Sequence, residues 1–106
     1  MYLQKTDLFS QLNLRSLELK NRIVVSPMCQ YKAVDGHIQD WHIAHHSRFA
    51  LGGMALSFVE ATGVTPEGRI TYGCTGIWDD DHVFGLKKVV KLYKDQNIAV
   101  GIQIGH

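Results

Sequence analysis

Polar and reactive side chains accompany the ends of three apolar runs in this sequence. A thiol, amides, hydroxyls and a carboxyl are among them, in residues 26–31, in residues 60–62, and at Gln103 and His106. If the three runs are parallel strands of one sheet, these groups meet at its carboxyl edge, where open α/β sheets and β/α barrels bind ligands. Polar residues also occur wherever a strand leaves a core, so the pattern alone leaves both interpretations open.

Alternating and continuous apolar runs predict the strands that would position these groups. Residues 12–19 alternate as a short hairpin would, with its turn at Arg15-Ser16 and one buried face. Residues 23–25 are a β-branched strand that Ser26-Pro27 ends, because proline cannot donate to a ladder. Residues 55–59 and 98–104 are typical of strands that are buried on both faces.

Two helices and one long loop are predicted between the strands. The first helix covers roughly 40–51, with Asp40 as its N-cap and Gly52-Gly53 at its end. The second covers roughly 80–96, has Asp79-Asp80-Asp81 at its start and is closed by Asn97. Residues 62–78 are loop-like and glycine-rich, and a loop of that length is often functional.

Each helix has a predicted apolar face. The face of the first comprises Ile43, Ala44, Ser47, Ala50 and Leu51. The stripe of the second comprises Val83, Leu86, Val90 and Tyr93, with Lys87, Lys88, Lys91 and Lys94 directed to water.

The composition excludes several functional classes. Eleven basic and ten acidic residues give a net charge of +1, which argues against a nucleic-acid binder. No apolar run is long enough for a membrane helix, and the N-terminal MYLQKTDLFSQ has no apolar signal-peptide core. Two widely spaced cysteines do not form a disulfide scaffold, so we expect a cytoplasmic protein.

The element order is hairpin, β, α, β, α, β, which predicts a parallel α/β sheet with right-handed crossovers. Both faces of a parallel sheet need covering, whereas the two helices cover only one. The pattern therefore stops in the middle of a repeat. We expect the chain to be a fragment of a larger domain or to need a partner that completes its core.

Residues 19–31, LKNRIVVSPMCQY, resemble the first barrel strand of the Old Yellow Enzyme family of FMN-dependent NADPH dehydrogenases and ene-reductases. The cysteine after Ser-Pro-Met resembles the thermophilic-like subclass of that family. The resemblance extends from about residue 8 to residue 106, and further matches follow in the family's order: Asp35-Gly36, Asp40-Trp41-His42, Val59-Glu60-Ala61-Thr62, Pro66-Glu67-Gly68-Arg69-Ile70, Gly76-Ile77-Trp78 and Gly101-Ile102-Gln103.

The resemblance implies a (β/α)8 TIM barrel. Residues 1–106 would be a single partial domain, the N-terminal segment of that FMN-binding barrel, with the bottom hairpin, about three strands and two helices. The family usually continues with a His-Ala-Gly-Arg stretch. By the same resemblance, the full-length protein would be a homo-oligomer.

The resemblance also implies a cofactor site. Cys29 would lie beside the FMN ring and tune its redox behaviour. Ala61 would be small where the ring approaches the backbone, and Gln103 would both donate to and accept from the pyrimidine edge. Tyr31 would project over the ring toward the substrate. The residues expected to bind FMN are Ser26, Pro27, Met28, Cys29, Ala61 and Gln103.

The implied reaction uses NADPH to reduce FMN, which then passes a hydride to the β-carbon of an α,β-unsaturated carbonyl compound, an enone or enal. In the family, a histidine pair, or a histidine and an asparagine, holds the carbonyl oxygen and a tyrosine supplies the proton. No residue of this segment matches those catalytic groups, so we expect the 106-residue chain to be inactive alone. Two alternatives stay open: a non-catalytic partial-barrel module that self-associates or is completed by another chain, and a truncated product without function.

Two polar features fit more than one interpretation. His42, His45 and His46 share a helix face, but Ile43 stands where His-Glu-x-x-His has its glutamate, so we expect no metal site. Glu60, at the end of a strand, is a candidate general base by its position. The resemblance favours a structural carboxylate instead.

Overall fold

The computed structural model describes residues 7–106 as an α/β unit built on a parallel sheet. The predicted domain covers residues 1–106, and its first six residues lie outside the described residues. They include most of the N-terminal sequence in which we found no signal-peptide core. Within residues 7–106, no helix is long and apolar enough to cross a membrane.

The predicted hairpin is confirmed. Strands β1 (Leu12–Leu14) and β2 (Leu17–Leu19) pair antiparallel, and Arg15 in the turn has a left-handed φ of 54°. Its predicted buried face is largely wrong, because Leu14 and Leu17 are exposed and only Leu19 is fully buried.

Strand β4 (Leu56–Gly63) is the centre of the parallel sheet. Strand β6 (Ala99–Gly105) pairs along its whole length. The other edge of β4 is shared by β3 (Val24–Val25) at its start and β5 (Thr75–Gly76) at its end. The loop predicted over residues 62–78 is therefore only partly a loop, since it includes β5 and a turn of 3-10 helix at Pro66–Gly68.

Helix α1 covers Asp40–Gly52, and its N-cap lies one residue before the predicted N-cap. Its N-cap is Gln39, and the prediction of Asp40 is wrong because Asp40 already has helical geometry. The backbone N–H of Gln39 donates to Nδ1 of His42, three residues on, at 2.9 Å. The predicted glycine end is confirmed, with Gly53 as a left-handed C-cap at φ 83°.

Helix α2 (His82–Asp95) is shorter than the predicted 80–96 and begins after Asp81. Val83 of the predicted stripe is exposed, while His82 and Val89 are buried in addition to Leu86 and Tyr93. The four lysines that were expected to face water are exposed: Lys87, Lys88, Lys91 and Lys94.

Both helices cover one face of the sheet, as predicted. Val59 of β4 and Ile98, just before β6, pack against buried residues of the two helices. The core consists of Ala50, Val59, Leu86, Val89, Tyr93 and Ile98. Burial of these side chains orders β4 and β6, whose carboxyl ends carry the polar residues.

The buried face of α1 differs from the prediction, because it is built on histidines. His42, His45, His46 and Ala50 are buried, whereas Ala44 and Leu51 are exposed. The burial of His46 is supported by a hydrogen bond between its Nδ1 and the hydroxyl of Tyr93. A polar partner inside the core lets a histidine replace an aliphatic side chain there.

Candidate functional site

An irregularity between β4 and β6 shapes the carboxyl edge of the sheet. Val59 pairs with Ile102, whereas the next paired residues are Thr62 and Ile104. Two residues of β4, Glu60 and Ala61, are therefore opposite a single residue of β6. This is a β-bulge, which leaves an extra residue outside the ladder and redirects side chains, often next to active sites.

The residue opposite the bulge is Gln103, so the structure brings two of the predicted cofactor residues together. Ala61 is half-buried and Gln103 is exposed. An exposed amide beside unpaired backbone offers donors and acceptors to a planar heterocycle. The small side chain of Ala61 leaves room for a ring to approach that backbone.

The segment after β3 lies at the same edge. Of its predicted site residues, Pro27 and Cys29 are half-buried, while Ser26, Met28 and Tyr31 are exposed. The Cys29 thiol is close enough to the Tyr31 hydroxyl to be the largest cause that raises the pKa of that hydroxyl above its usual value. The thiol and the phenol therefore belong to one cluster.

The backbone of Tyr31 has a left-handed φ of 58°, which is uncommon for a large residue and is held by its surroundings. A loop before β5 packs directly on it. A Cβ atom placed on Gly73 would lie 2.6 Å from the carbonyl oxygen of Tyr31. The carbonyl of Gly73 in turn accepts from Ala33 N–H at 2.9 Å. The sequence predicts the loop but not this contact, although a glycine in a long loop is the signal of such a close approach.

Glu60 lies behind this cluster and is only 1% exposed. Burial raises its pKa to about 7, and one hydrogen bond from Gln30 N–H to Oε1, at 3.4 Å, opposes that shift. Its Oε2 is 3.8 Å from Nε2 of His42. Burial lowers the pKa of His42, so the imidazole is neutral at pH 7 and the contact is not a full ion pair.

Two threonines join the ends of β4 and β5. The hydroxyl of Thr62 donates to the carbonyl oxygen of Glu60 at 2.8 Å. Its oxygen therefore accepts from the hydroxyl of Thr75, at 2.7 Å. This buried chain of hydrogen bonds fixes the strand end at the bulge.

The donor set suits an organic ring better than a metal. Across residues 7–106, no three histidine, cysteine or acidic side chains are grouped as metal ligands. Of the three histidines on α1, His46 bonds Tyr93 and His45 bonds Arg48. The bulge, the exposed Gln103 amide and the Cys29 thiol fit the polar edge of a flavin.

The fold and this edge define a class, namely the N-terminal part of a (β/α)8 barrel of the flavin oxidoreductase type. The sheet is parallel and not closed, and its candidate site lies at the carboxyl ends of the strands, as in such barrels. Residues 7–106 match the NADH:flavin oxidoreductase / NADH oxidase family, and the chain therefore belongs to that family. The family's description names a flavin and NADH, which confirms a flavin and a nicotinamide coenzyme, whereas the sequence led us to expect NADPH.

Individual relatives agree with this assignment. The chain is 52% identical over 103 residues to an NADPH dehydrogenase of Geobacillus thermodenitrificans, a match that covers 95% of this chain and 30% of the relative. It is 43% identical over 101 residues to an NADPH dehydrogenase of Bacillus subtilis, covering 93% and 30%. The chain thus spans about a third of the length of these curated relatives.

Solved structures show the same fold. Morphinone reductase superposes with a TM-score of 0.87 at 27% identity, covering 97% of this chain and 27% of that protein. An Old Yellow Enzyme from Pichia sp. AKU4542 also gives a TM-score of 0.87, at 24% identity, covering 95% and 26%. The fold expected from the resemblance is confirmed as a part of such a barrel.

Proposed function

We propose that the protein containing this chain is an FMN-dependent oxidoreductase that uses NADPH to reduce the activated C=C bond of enones and enals. The observation that carries the proposal is the bulge at Glu60-Ala61, which sets Ala61 opposite Gln103, while the Glu60 carboxyl accepts from the backbone of residue 30, between Cys29 and Tyr31. The relatives named NADPH dehydrogenase, and a morphinone reductase determined in complex with tetrahydroNAD, support the choice of reaction.

Each residue at this edge has a proposed part in holding the cofactor. Backbone and side chains of residues 26–29 line the ring, and the Cys29 thiol sets its local polarity. Gln103 bonds the pyrimidine edge, and Ala61 admits the ring against the backbone. Tyr31 faces the substrate. When bound, FMN would supply hydride transfer from NADPH to the β-carbon of the substrate, and the proton for the α-carbon would come from a group to which no described residue is assigned.

We propose further that residues 1–106 form the N-terminal segment of the FMN-binding barrel and do not turn over alone. Groups that hold the developing negative charge on a carbonyl oxygen account for much of the rate in such reactions. None of the described residues is assigned to hold that carbonyl oxygen. A homo-oligomeric full-length protein in the cytoplasm, with Cys29 and Cys74 as free thiols, completes the proposal.

Anaerobic NADPH oxidation with 2-cyclohexenone tests this function. The natural gene product, reconstituted with FMN, should oxidise NADPH in step with loss of the enone. The separately purified 106-residue chain should not. A gene product that binds FMN but leaves the enone unreduced would refute the substrate class, and turnover by the 106-residue chain would refute its inactivity.

One observation favours a second candidate, a partial-barrel module that is completed by another polypeptide. Within residues 7–106, β6 pairs only with β4, and Ile104 near the end of β6 is 64% exposed. An unpaired apolar strand edge can add a further strand. A colourless gene product that forms discrete oligomers in sedimentation experiments would favour this candidate over the enzyme.

A further inference from the structure

Two donors converge on the buried carboxyl of Glu60, one on each oxygen. The backbone N–H of Gln30 donates to Oε1 at 3.4 Å, and Oε2 faces Nε2 of His42 at 3.8 Å. At that distance the two groups do not form a hydrogen bond, and neither Oε2 nor His42 Nε2 has a hydrogen-bond partner, although both are fully buried. Buried polar atoms without other partners indicate a functional or strained arrangement.

The tautomer of His42 follows from its other contact. Its Nδ1 accepts the N–H of Gln39 at 2.9 Å, which is the capping contact of α1. A neutral imidazole that accepts at Nδ1 carries its proton on Nε2. The nitrogen of His42 nearest Glu60 therefore carries an N–H, and the ionised carboxylate suits both N–H groups better than the acid does, because protonation replaces one acceptor position by an O–H donor.

Gln30 connects this carboxyl to the segment at the candidate flavin site. Its side-chain amide donates to the carbonyl of Met28 at 2.9 Å and accepts from Nε1 of Trp41 at 3.0 Å. Met28 and Tyr31 are exposed on the segment, and Cys29 lies between them. A displacement of Gln30 therefore moves the residues on either side of it.

We propose that Glu60 and His42 are a positioning pair, which fixes Gln30 and thereby sets the position of Cys29 and Tyr31 against the flavin. This inference deepens the proposed function and rests on it for the identity of the bound ring. The pair acts from behind the segment and does not touch the substrate. Proton uptake by Glu60 removes one acceptor position and loosens the segment.

The surroundings of Glu60 determine the pH at which it takes up a proton, and this proton uptake is what changes the state of the pair. The titratable groups near it are His42 from α1, whose Nε2 is 3.8 Å from Oε2, and Tyr31 from the segment after β3, whose pKa the Glu60 carboxyl helps to raise. In the part of the chain that the structure describes, no lysine or arginine pairs with it. Burial raises the pKa of Glu60 to about 7. The pair therefore changes state near neutral pH.

Amide hydrogen exchange at Gln30 in the natural gene product tests the pair without depending on the flavin. In wild type, protection of this amide against a local opening in which Glu60 stays buried should fall as the pH decreases through about 7, once intrinsic exchange is corrected with an unfolded peptide. Glu60→Gln should speed its exchange about tenfold at pH 8 and abolish the pH dependence, since one of the two donors then faces an amide NH2 group.

The variant His42→Gln tests the contact of His42 with Glu60 separately from its role in capping α1. A glutamine at this third helical position can still accept from the Gln39 N–H, as in a capping box, but no longer donates to Glu60. The midpoint of Gln30 protection should move to higher pH, a shift that a merely structural role would not produce. Ser57→Ala is the matched control, because it removes a buried hydrogen bond on the same strand, to Tyr93. It should leave the midpoint unchanged.

The absorbance of bound FMN provides the second measurement and should titrate with the same midpoint. If Gln30 protection is independent of pH, or is unchanged in Glu60→Gln, the positioning pair is refuted while flavin binding stands. If Glu60→Gln does not fold, an unmoved midpoint in His42→Gln refutes it equally. If wild type binds no FMN while Gln30 still follows Glu60, the proposed function falls and the pair remains as a property of the chain.

Discussion

Replacement of Glu60 by glutamine should change how stability depends on pH. The carboxyl is 1% exposed, and burial raises its pKa from 4.5 to about 7. Between these two values the folded protein binds more protons than the unfolded chain. The contribution of Glu60 to stability is therefore full below pH 4.5 and is lost as the pH rises through about 7.

The magnitude follows from the shift. At about 1.4 kcal/mol for each pH unit, the wild-type protein loses about 3 kcal/mol through Glu60 across this interval. Glutamine has no proton to lose. The free energy of unfolding of Glu60→Gln minus that of wild type should therefore increase by about 3 kcal/mol between pH 4 and pH 8.

Urea denaturation at several pH values, followed by tryptophan fluorescence, measures this difference. Subtraction of wild type removes the opposite slope of His46, whose pKa burial lowers to about 4 and whose contribution is lost as the pH falls from 6.5. Val59→Ala, a cavity variant next in the strand, is the matched control and should show a constant difference. A difference for Glu60→Gln that does not vary with pH would refute the reasoning.

Three further substitutions test the fold around the site by urea denaturation. Tyr93→Phe should lower the free energy of unfolding by about 1–3 kcal/mol, because Ser57 and His46 lose their hydrogen bonds to the phenol. A loss under about 0.5 kcal/mol would contradict the buried network. Gly73→Ala should cost about 1–3 kcal/mol and displace Tyr31, whose carbonyl oxygen the new Cβ would approach to 2.6 Å. Gly53→Ala should lower the free energy of unfolding by only about 1 kcal/mol, since Gly53 has a left-handed φ of 83° but no atom lies within 4 Å of the new Cβ. A larger loss than for Gly73→Ala would show that the contact with Tyr31 does not determine the cost of a side chain at position 73.

Apart from β5, which falls in the predicted loop, the sequence predicted the strands and their order along the chain because their signals are local. The β-branched run before Ser26-Pro27 and the apolar run before Glu60 needed no tertiary information. The turn at Arg15-Ser16 was equally readable. Their placement at one sheet edge then followed from the rule that consecutive βαβ units are parallel.

The helix faces were predicted less well, because hydrophobicity was the only criterion. Histidine counts as polar, yet His42 and His46 are buried and Leu51 is exposed. What decides the face is the presence of polar partners in the core, such as the Tyr93 hydroxyl and the Glu60 carboxyl. Those partners come from distant parts of the sequence, so no local pattern reveals them.

The site was predicted as a set of residues but not as a geometry. The resemblance supplied Ala61 and Gln103 separately, whereas the bulge that sets them opposite each other depends on the register of β4 against β6. The contact of Gly73 with Tyr31 likewise joins residues far apart in sequence. The assignment of FMN to these residues is still a prediction.

FMN binding by the natural gene product, compared between wild type and Ala61→Leu, is the most direct test of the proposed flavin site. Wild type should retain about one FMN for each chain after gel filtration, and Ala61→Leu should bind it at least about tenfold more weakly, since the added side chain fills the approach to the bulge. Ala44→Leu adds the same bulk at an exposed position of α1 and should bind FMN as wild type does. Wild type without FMN, or Ala61→Leu with unchanged affinity, would contradict the account.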